Sequence, residues 1–116
     1  MTTDQLQALV IEALDEVKAR DVRVFDVKDK TAVTDAMVIA SGTSSRHVQT
    51  IADRVVETAK RAGHAPLGVE GGRDSEWVLV DLADVVVHVM LPRARGFYNL
   101  EKLWSVEAER LSAGLS

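Results

Sequence analysis

Two valine-rich runs joined by a single residue constrain the fold more than any other feature of this sequence. Residues 77–82 read WVLVDL and residues 84–91 read DVVVHVML, with Ala83 between them. β-Branched residues favour strands, and so short a link predicts an antiparallel hairpin. Because both runs are almost wholly apolar, we expect the hairpin to lie in the centre of a sheet.

Side chains alternate between the two faces of a strand, which sorts the residues of the hairpin into two sets. In the first strand, one face carries Trp77, Leu79 and Asp81, and the other carries Val78, Val80 and Leu82. A buried imidazole needs a hydrogen-bond partner. We therefore expect His88, in the second strand, to be a core residue that pairs with Asp81 across the hairpin.

Helices and further strands are expected around the hairpin. Apolar residues recur at helical spacing over 4–19 and again after Ser44, where Gly63 predicts a left-handed C-terminal cap. Strands are expected at 22–27, at 34–41 and near 67–70, and a terminal helix at 97–111. The order α-β-β-α-β-β-β-α predicts an α/β (α+β) fold, with helices packed on a mixed β-sheet of about five strands.

The length and composition narrow the classes of protein that this chain can belong to. Its 116 residues suit one domain over 1–116, and the lack of cysteine excludes disulfides and thiolate chemistry. His47, His64 and His88 are too widely separated for helical ligand spacing, so we expect no metal site and no cofactor. Neither a signal peptide nor a run of about 20 apolar residues is present, so we expect a cytoplasmic protein without a membrane partner.

The net charge of −4 is concentrated in one segment. Residues 67–84 hold five acidic residues and one basic residue, namely Glu70, Asp74, Glu76, Asp81, Asp84 and Arg73. This balance argues against binding that depends mainly on phosphate contacts, and no sequence-specific binding of nucleic acid is expected. A local excess of acid favours a basic partner surface, although a solubilising loop would have the same composition.

The segment SGTSSR, at the start of the second helix, allows two interpretations. Ser44, Ser45 and Arg46 could bind an anion at the helix N-terminus, or the hydroxyl groups could simply cap the helix. The first interpretation leads to an alternative function, a nucleotide-binding protein or nucleotidyltransferase that uses the Gly42–Arg46 loop. That chemistry requires paired carboxylates on an adjoining strand, and none follows Ser44 closely. We therefore expect no catalytic residues.

Three segments of the sequence resemble the ribosomal silencing factor family, also called Iojap-like or DUF143. They read TDAMVIASGTSSRHVQTIADRV from residue 34, GVEGGRDSEWVLVDLADVVVHVM from residue 68 and RGFYNLEKLW from residue 95. The motifs G-x-E-G, W-x-x-x-D-x-x-D-x-x-x-H and F-Y-x-L-E-x-L-W, in that order, make the resemblance specific. It covers about Leu6 to Trp104 and leaves about 105–116 as a variable C-terminal tail.

The resemblance implies a fold and a function that the composition does not give. It implies a nucleotidyltransferase-like topology without the catalytic carboxylates, and therefore no enzyme activity. It also implies binding to the large ribosomal subunit through the ribosomal protein numbered fourteen. The bound factor would block joining with the small subunit and repress translation when nutrients are scarce.

The same resemblance suggests which side chains take part in docking. Carried over motif by motif, it places in or near the docking surface Trp77, Asp81, Leu82, Tyr98 and Glu101. His88, Arg95 and Trp104 also match motif positions, and these could serve the fold instead. A homodimer that hides the docking surface of the unbound protein stays open as an alternative.

Overall fold

The computed structural model describes residues 1–72 and 74–98, together with their side chains except those of 97 and 98. Eight elements follow one another in this part of the chain, in the predicted order α-β-β-α-β-β-β-α. They are α1 (Thr3–Glu16), β1 (Arg20–Asp26), β2 (Ala36–Ser41), α2 (Ser45–Arg61), β3 (Gly68–Glu70), β4 (Trp77–Asp81), β5 (Val85–Met90) and α3 (Pro92–Tyr98).

The described strands form one mixed sheet in the order β1-β2-β5-β4-β3. Strands β2 and β5 run parallel, and the other neighbours are antiparallel. The valine-rich hairpin is β4–β5, in which Trp77 lies opposite Met90 and Leu79 lies opposite His88. Strand β5 lies between β2 and β4, and β4 lies between β5 and the short edge strand β3. The predicted α+β fold and the inner position of the hairpin are confirmed.

Both long helices cover the same face of the sheet. Leu6 and Leu14 of α1 and Ile51 of α2 are at most 1% exposed, and they join Val38 and Val80 of the sheet in the main core. Burial of side chains of this kind contributes roughly 1.5–3 kcal/mol each, so this layer supplies most of the stability. Arg54 of α2 also forms an ion pair with Glu16 of α1 at 2.6 Å.

The opposite face of the sheet has a smaller apolar cluster. Met37, Ile39 and Met90 are buried there, together with Ala94 of α3, while Trp77 packs at the edge of the cluster. Leu79 and Asp81 of β4 remain partly exposed on this face, which shows that helix α3 covers only part of it. We call this surface, with Glu70, Trp77, Leu79, Asp81 and His88, the outer face.

The ends of the helices agree with the sequence signals in some places and not in others. Gly63 has φ +77°, and the amides of Gly63 and His64 donate to the carbonyls of Lys60 and Ala59, respectively, which confirms the left-handed cap.

Helix α1 ends at Glu16 instead of 19, because Lys18 turns to φ +59° and β1 follows at once. Helix α3 begins at Pro92, five residues before the expected start, and most of 97–111 lies outside the described residues.

Candidate docking surface

Strand β4 places its odd-numbered side chains on the outer face, as the alternation predicts. Trp77, Leu79 and Asp81 are partly exposed, whereas Val78 and Val80 are fully buried beneath the helices. The position of Trp77 on a half-covered face of the sheet therefore agrees with the expectation that it lies at the surface. Large aromatic side chains in such positions can bury much area against a partner.

The orientation of the Trp77 ring is fixed from inside the fold. Its indole N–H donates a hydrogen bond to Nδ1 of His88 at 2.9 Å, and the two ring centroids lie 5.6 Å apart. Since Nδ1 accepts, the neutral imidazole must carry its proton on Nε2. Trp77 is thus held in one orientation before any partner arrives.

His88 is a neutral core histidine. Its side chain is 5% exposed, and desolvation by burial lowers its pKa to about 4. The Nε2 atom is buried and has no hydrogen-bond partner among the described residues. The expected pairing of His88 with Asp81 is wrong, because the register sets His88 opposite Leu79 and Asp81 opposite Val86.

Asp81 instead organises the turn between β4 and β5. Its Oδ1 accepts a hydrogen bond from the amide of Ala83 at 2.9 Å, and Ala83 adopts φ +70°. A short acidic side chain often satisfies a turn amide two residues later in this way. The carboxylate is only partly exposed, so Asp81 combines a structural role with a place on the outer face.

Leu82 does not belong to the surface. Its side chain is 0% exposed and lies in the main core beneath the helices. Asp81 and Leu82 are consecutive, and consecutive side chains in an extended segment point to opposite sides of the sheet. Leu82, which the resemblance places in or near the docking surface, is therefore assigned to the core behind that surface.

The remaining predicted docking residues lie at or beyond the end of the described chain. Tyr98 ends α3, but its side chain is not described, and Glu101 and Trp104 lie outside the described residues. Helix α3 itself is tied to the sheet, because Nη1 of Arg95 donates to Oγ of Ser41 at 2.8 Å. Arg93 of the same helix forms an ion pair with Glu76, just before β4.

Beside Trp77 lies an open recess of about 420 Å³, lined by Glu70, Gly71, Trp77 and Leu79. Gly71 has φ +111°, and a Cβ atom there would lie 2.7 Å from the carbonyl oxygen of Trp77. Only glycine lets the chain pass so close to β4. Glu70 and Leu79 were not among the predicted docking residues, although the acidic run contains Glu70 and the strand alternation places Leu79 on the same face as Trp77.

The Gly42–Arg46 loop forms a capped helix start. Oγ of Ser44 accepts from the amide of His47 at 3.1 Å, which makes Ser44 the N-cap of α2. The amide of Thr43 is occupied by Nδ1 of His47 at 2.9 Å, and that of Gly42 by the carbonyl of Met90 at 3.0 Å. These contacts support the capping interpretation of the segment.

The other histidines hold chain segments together. Nε2 of His47 lies 2.8 Å from the carbonyl of Val17, and Nε2 of His64 lies 2.8 Å from the carbonyl of Leu82.

Among the described residues, no group of three or more His, Asp or Glu side chains is arranged to hold a metal ion. A helix with the length and apolarity needed to cross a bilayer is likewise lacking in the described ranges.

Comparisons with known proteins point to one family. The family model described as "Ribosomal silencing factor during starvation" matches residues 1–114. The ribosomal silencing factor of Haemophilus influenzae is 43% identical over 100 residues, which cover 86% of this chain and 98% of that protein. The Chromobacterium violaceum factor is 40% identical over 114 residues, covering 98% and 93% respectively. A crystal structure of a Chromobacterium violaceum protein matches with TM-score 0.88 and 42% identity, covering 90% of this chain and 88% of that one.

Proposed function

The chain belongs to the ribosomal silencing factor family, and from this we propose that it binds the large ribosomal subunit and blocks joining with the small subunit. The ribosomal protein numbered fourteen would be the contact on the large subunit. Translation would then be repressed, under nutrient limitation, by a steric block in the cytoplasm. Such a block needs affinity and position but no catalysis.

The partly exposed Trp77, held by His88 on the outer face, is the observation that carries this proposal. A preorganised aromatic anchor loses little conformational entropy when it docks. Asp81, at the other end of β4 on the same face, would contribute charge toward a basic ribosomal protein. Tyr98 and Glu101 stay in the proposed surface on the strength of the resemblance, whereas Leu82 would act only by supporting β4 from the core.

Binding to separated subunits tests the proposal. Wild-type protein, Trp77→Ala and Val33→Ala would each be pelleted with purified large or small subunits over a range of concentrations. Val33 is 82% exposed in the loop between β1 and β2, so its truncation is a matched control for loss of apolar surface. We expect wild type and Val33→Ala to bind large subunits equally, and Trp77→Ala to bind roughly 30-fold more weakly.

Two outcomes would contradict the proposal. One is the absence of wild-type protein from the large-subunit pellet. The other is equal binding by Trp77→Ala, provided that all three proteins show the same cooperative thermal unfolding. That folding control is needed because Trp77 also packs against the cluster of Met37, Ile39 and Met90.

A further inference from the structure

We propose that the recess between Glu70 and Trp77 receives an arginine side chain of the partner protein. This inference rests on the proposed docking function and names the chemistry of one contact within it. The recess opens on the outer face and is lined by Glu70, Gly71, Trp77 and Leu79. It thus combines a carboxylate, an indole ring and an aliphatic side chain at one place.

The carboxylate of Glu70 is available to a partner. Glu70 is exposed at the end of the edge strand β3, opposite Leu79, and it forms no hydrogen bond or ion pair with the described residues. The two neighbouring acidic groups differ from it in this respect, because Glu76 pairs with Arg93 and Asp81 accepts the amide of Ala83. The carboxylate of Glu70 can therefore pair with an incoming cation without breaking a contact within the described part of the chain.

The walls of the recess are built before binding. The ring of Trp77 is fixed by its hydrogen bond to His88, and the backbone at Gly71 lies against the carbonyl of Trp77. Leu79 of β4, opposite Glu70, also lines the recess and adds an aliphatic surface. A site with fixed walls favours a planar group that can lie against a ring.

Arginine is the side chain that fits this combination best. Its guanidinium group stacks on aromatic rings, pairs with a carboxylate through two parallel hydrogen bonds, and is more weakly hydrated than the ammonium group of lysine. An indole is the aromatic ring that attracts cations most strongly. The local charge of residues 67–84, with five acidic residues against one basic residue, would also repel nucleic-acid phosphate.

A charge-neutralising substitution tests the recess against a matched control. Glu70→Gln keeps the shape of the side chain and removes its charge, and Glu12→Gln makes the same change at an exposed position of α1. In pelleting assays with purified large subunits, we expect Glu70→Gln to bind about fivefold more weakly. Glu12→Gln should bind within about twofold of wild type, because charges so far from the interface are screened by salt.

A protection experiment then identifies the captured side chain. Large subunits saturated with wild type, Glu70→Gln or Glu12→Gln would be treated with phenylglyoxal, which modifies arginine, and the modified sites located by mass spectrometry. We expect one arginine of a large-subunit protein to be protected by wild type and Glu12→Gln. With saturating Glu70→Gln the same arginine should be modified faster than in the wild-type complex, because it has lost its carboxylate partner.

The results distinguish failure of the recess from failure of the docking function. If wild type does not pellet with large subunits, the docking function itself fails. If wild type binds and Glu70→Gln binds as well as Glu12→Gln, docking stands and the recess proposal is overturned. Tighter binding by Glu70→Gln would indicate a phosphate group near the recess and would also overturn it. If wild type binds and protects no arginine from phenylglyoxal, arginine is excluded as the occupant.

Discussion

The indole nitrogen of Trp77 and Nδ1 of His88 lie 2.9 Å apart, and this hydrogen bond connects the surface of the protein to its core. His88 sits on β5, which has a strand on either side, while the partly exposed Trp77 begins β4. The buried His88 therefore positions the side chain of Trp77. The central strand fixes the geometry of the residue that we propose as the main docking anchor.

Burial of His88 predicts a pH-dependent stability. The folded protein holds the neutral imidazole with a pKa of about 4, and in the unfolded chain the pKa returns to the ordinary 6.5. Below 6.5 the unfolded state takes up a proton that the folded state does not, so the free energy of unfolding falls as pH falls from 6.5 toward 4. Between about pH 7 and about pH 5 the loss should be about 2 kcal/mol.

Urea unfolding of wild type and His88→Asn at the two pH values measures this contribution. Asparagine places an oxygen near the position of Nδ1 and does not titrate, so the variant corrects for the carboxylates that also respond to pH. We expect the wild type to lose more stability than the variant on acidification. Parallel losses in the two proteins would show that His88 is not held in its neutral form.

Truncation of Leu82 should destabilise the fold. Because its side chain is wholly buried, Leu82→Ala removes core contacts and leaves a cavity, at a cost of about 2–5 kcal/mol. Leu67→Ala provides the matched control, since Leu67 is 75% exposed and its truncation should change stability by less than about 0.5 kcal/mol. Chemical denaturation compares the two. Similar small effects for both variants would place Leu82 at the surface after all.

Two substitutions separate the two roles of Asp81. Asn at this position keeps a side-chain oxygen for the amide of Ala83, so Asp81→Asn should leave stability nearly unchanged, while Asp81→Ala should cost about 1 kcal/mol. If the charge also contributes to docking, Asp81→Asn will bind large subunits more weakly at unchanged stability. Asp81→Asn binding at wild-type strength would restrict Asp81 to the turn.

The N-cap of α2 can be tested in the same manner. Ser44→Ala should destabilise the protein by about 1 kcal/mol, because the amide of His47 loses its acceptor. Ser44→Asp supplies another good cap, and we expect near wild-type stability and unchanged binding to large subunits. An anion site in the Gly42–Arg46 loop would behave differently, since a carboxylate at residue 44 would repel the ligand. Nucleotide binding by the wild type that Ser44→Asp abolishes would revive the nucleotide-binding alternative.

The sequence predicted those parts of the fold that depend on local patterns. Alternation along β4 separated Trp77 from Val78 correctly, and Gly63 marked the end of α2 because a left-handed cap favours glycine. The position of α3 was less accurate, since Pro92 both ends β5 and begins the helix. A proline can end a strand or begin a helix, and the residues around Pro92 do not show which of the two it does.

Contacts across the sheet were harder to predict than the elements themselves. The pairing of His88 with Trp77 depends on a register that aligns His88 with Leu79, whereas the predicted pairing required His88 to lie near Asp81. Shifting a hairpin register moves every cross-strand contact. The assignment of Leu82 to docking came from a motif, and motifs do not distinguish residues that touch a partner from residues that support them.

Joining of purified ribosomal subunits tests the central claim most directly. Large and small subunits would be mixed at magnesium concentrations that support joining, with wild type, Trp77→Ala or no factor, and separated on a sucrose gradient. We predict that wild type migrates with the large subunit and lowers the joined fraction, and that folded Trp77→Ala does neither. Undiminished joining, with wild-type protein remaining at the top of the gradient, would contradict the account.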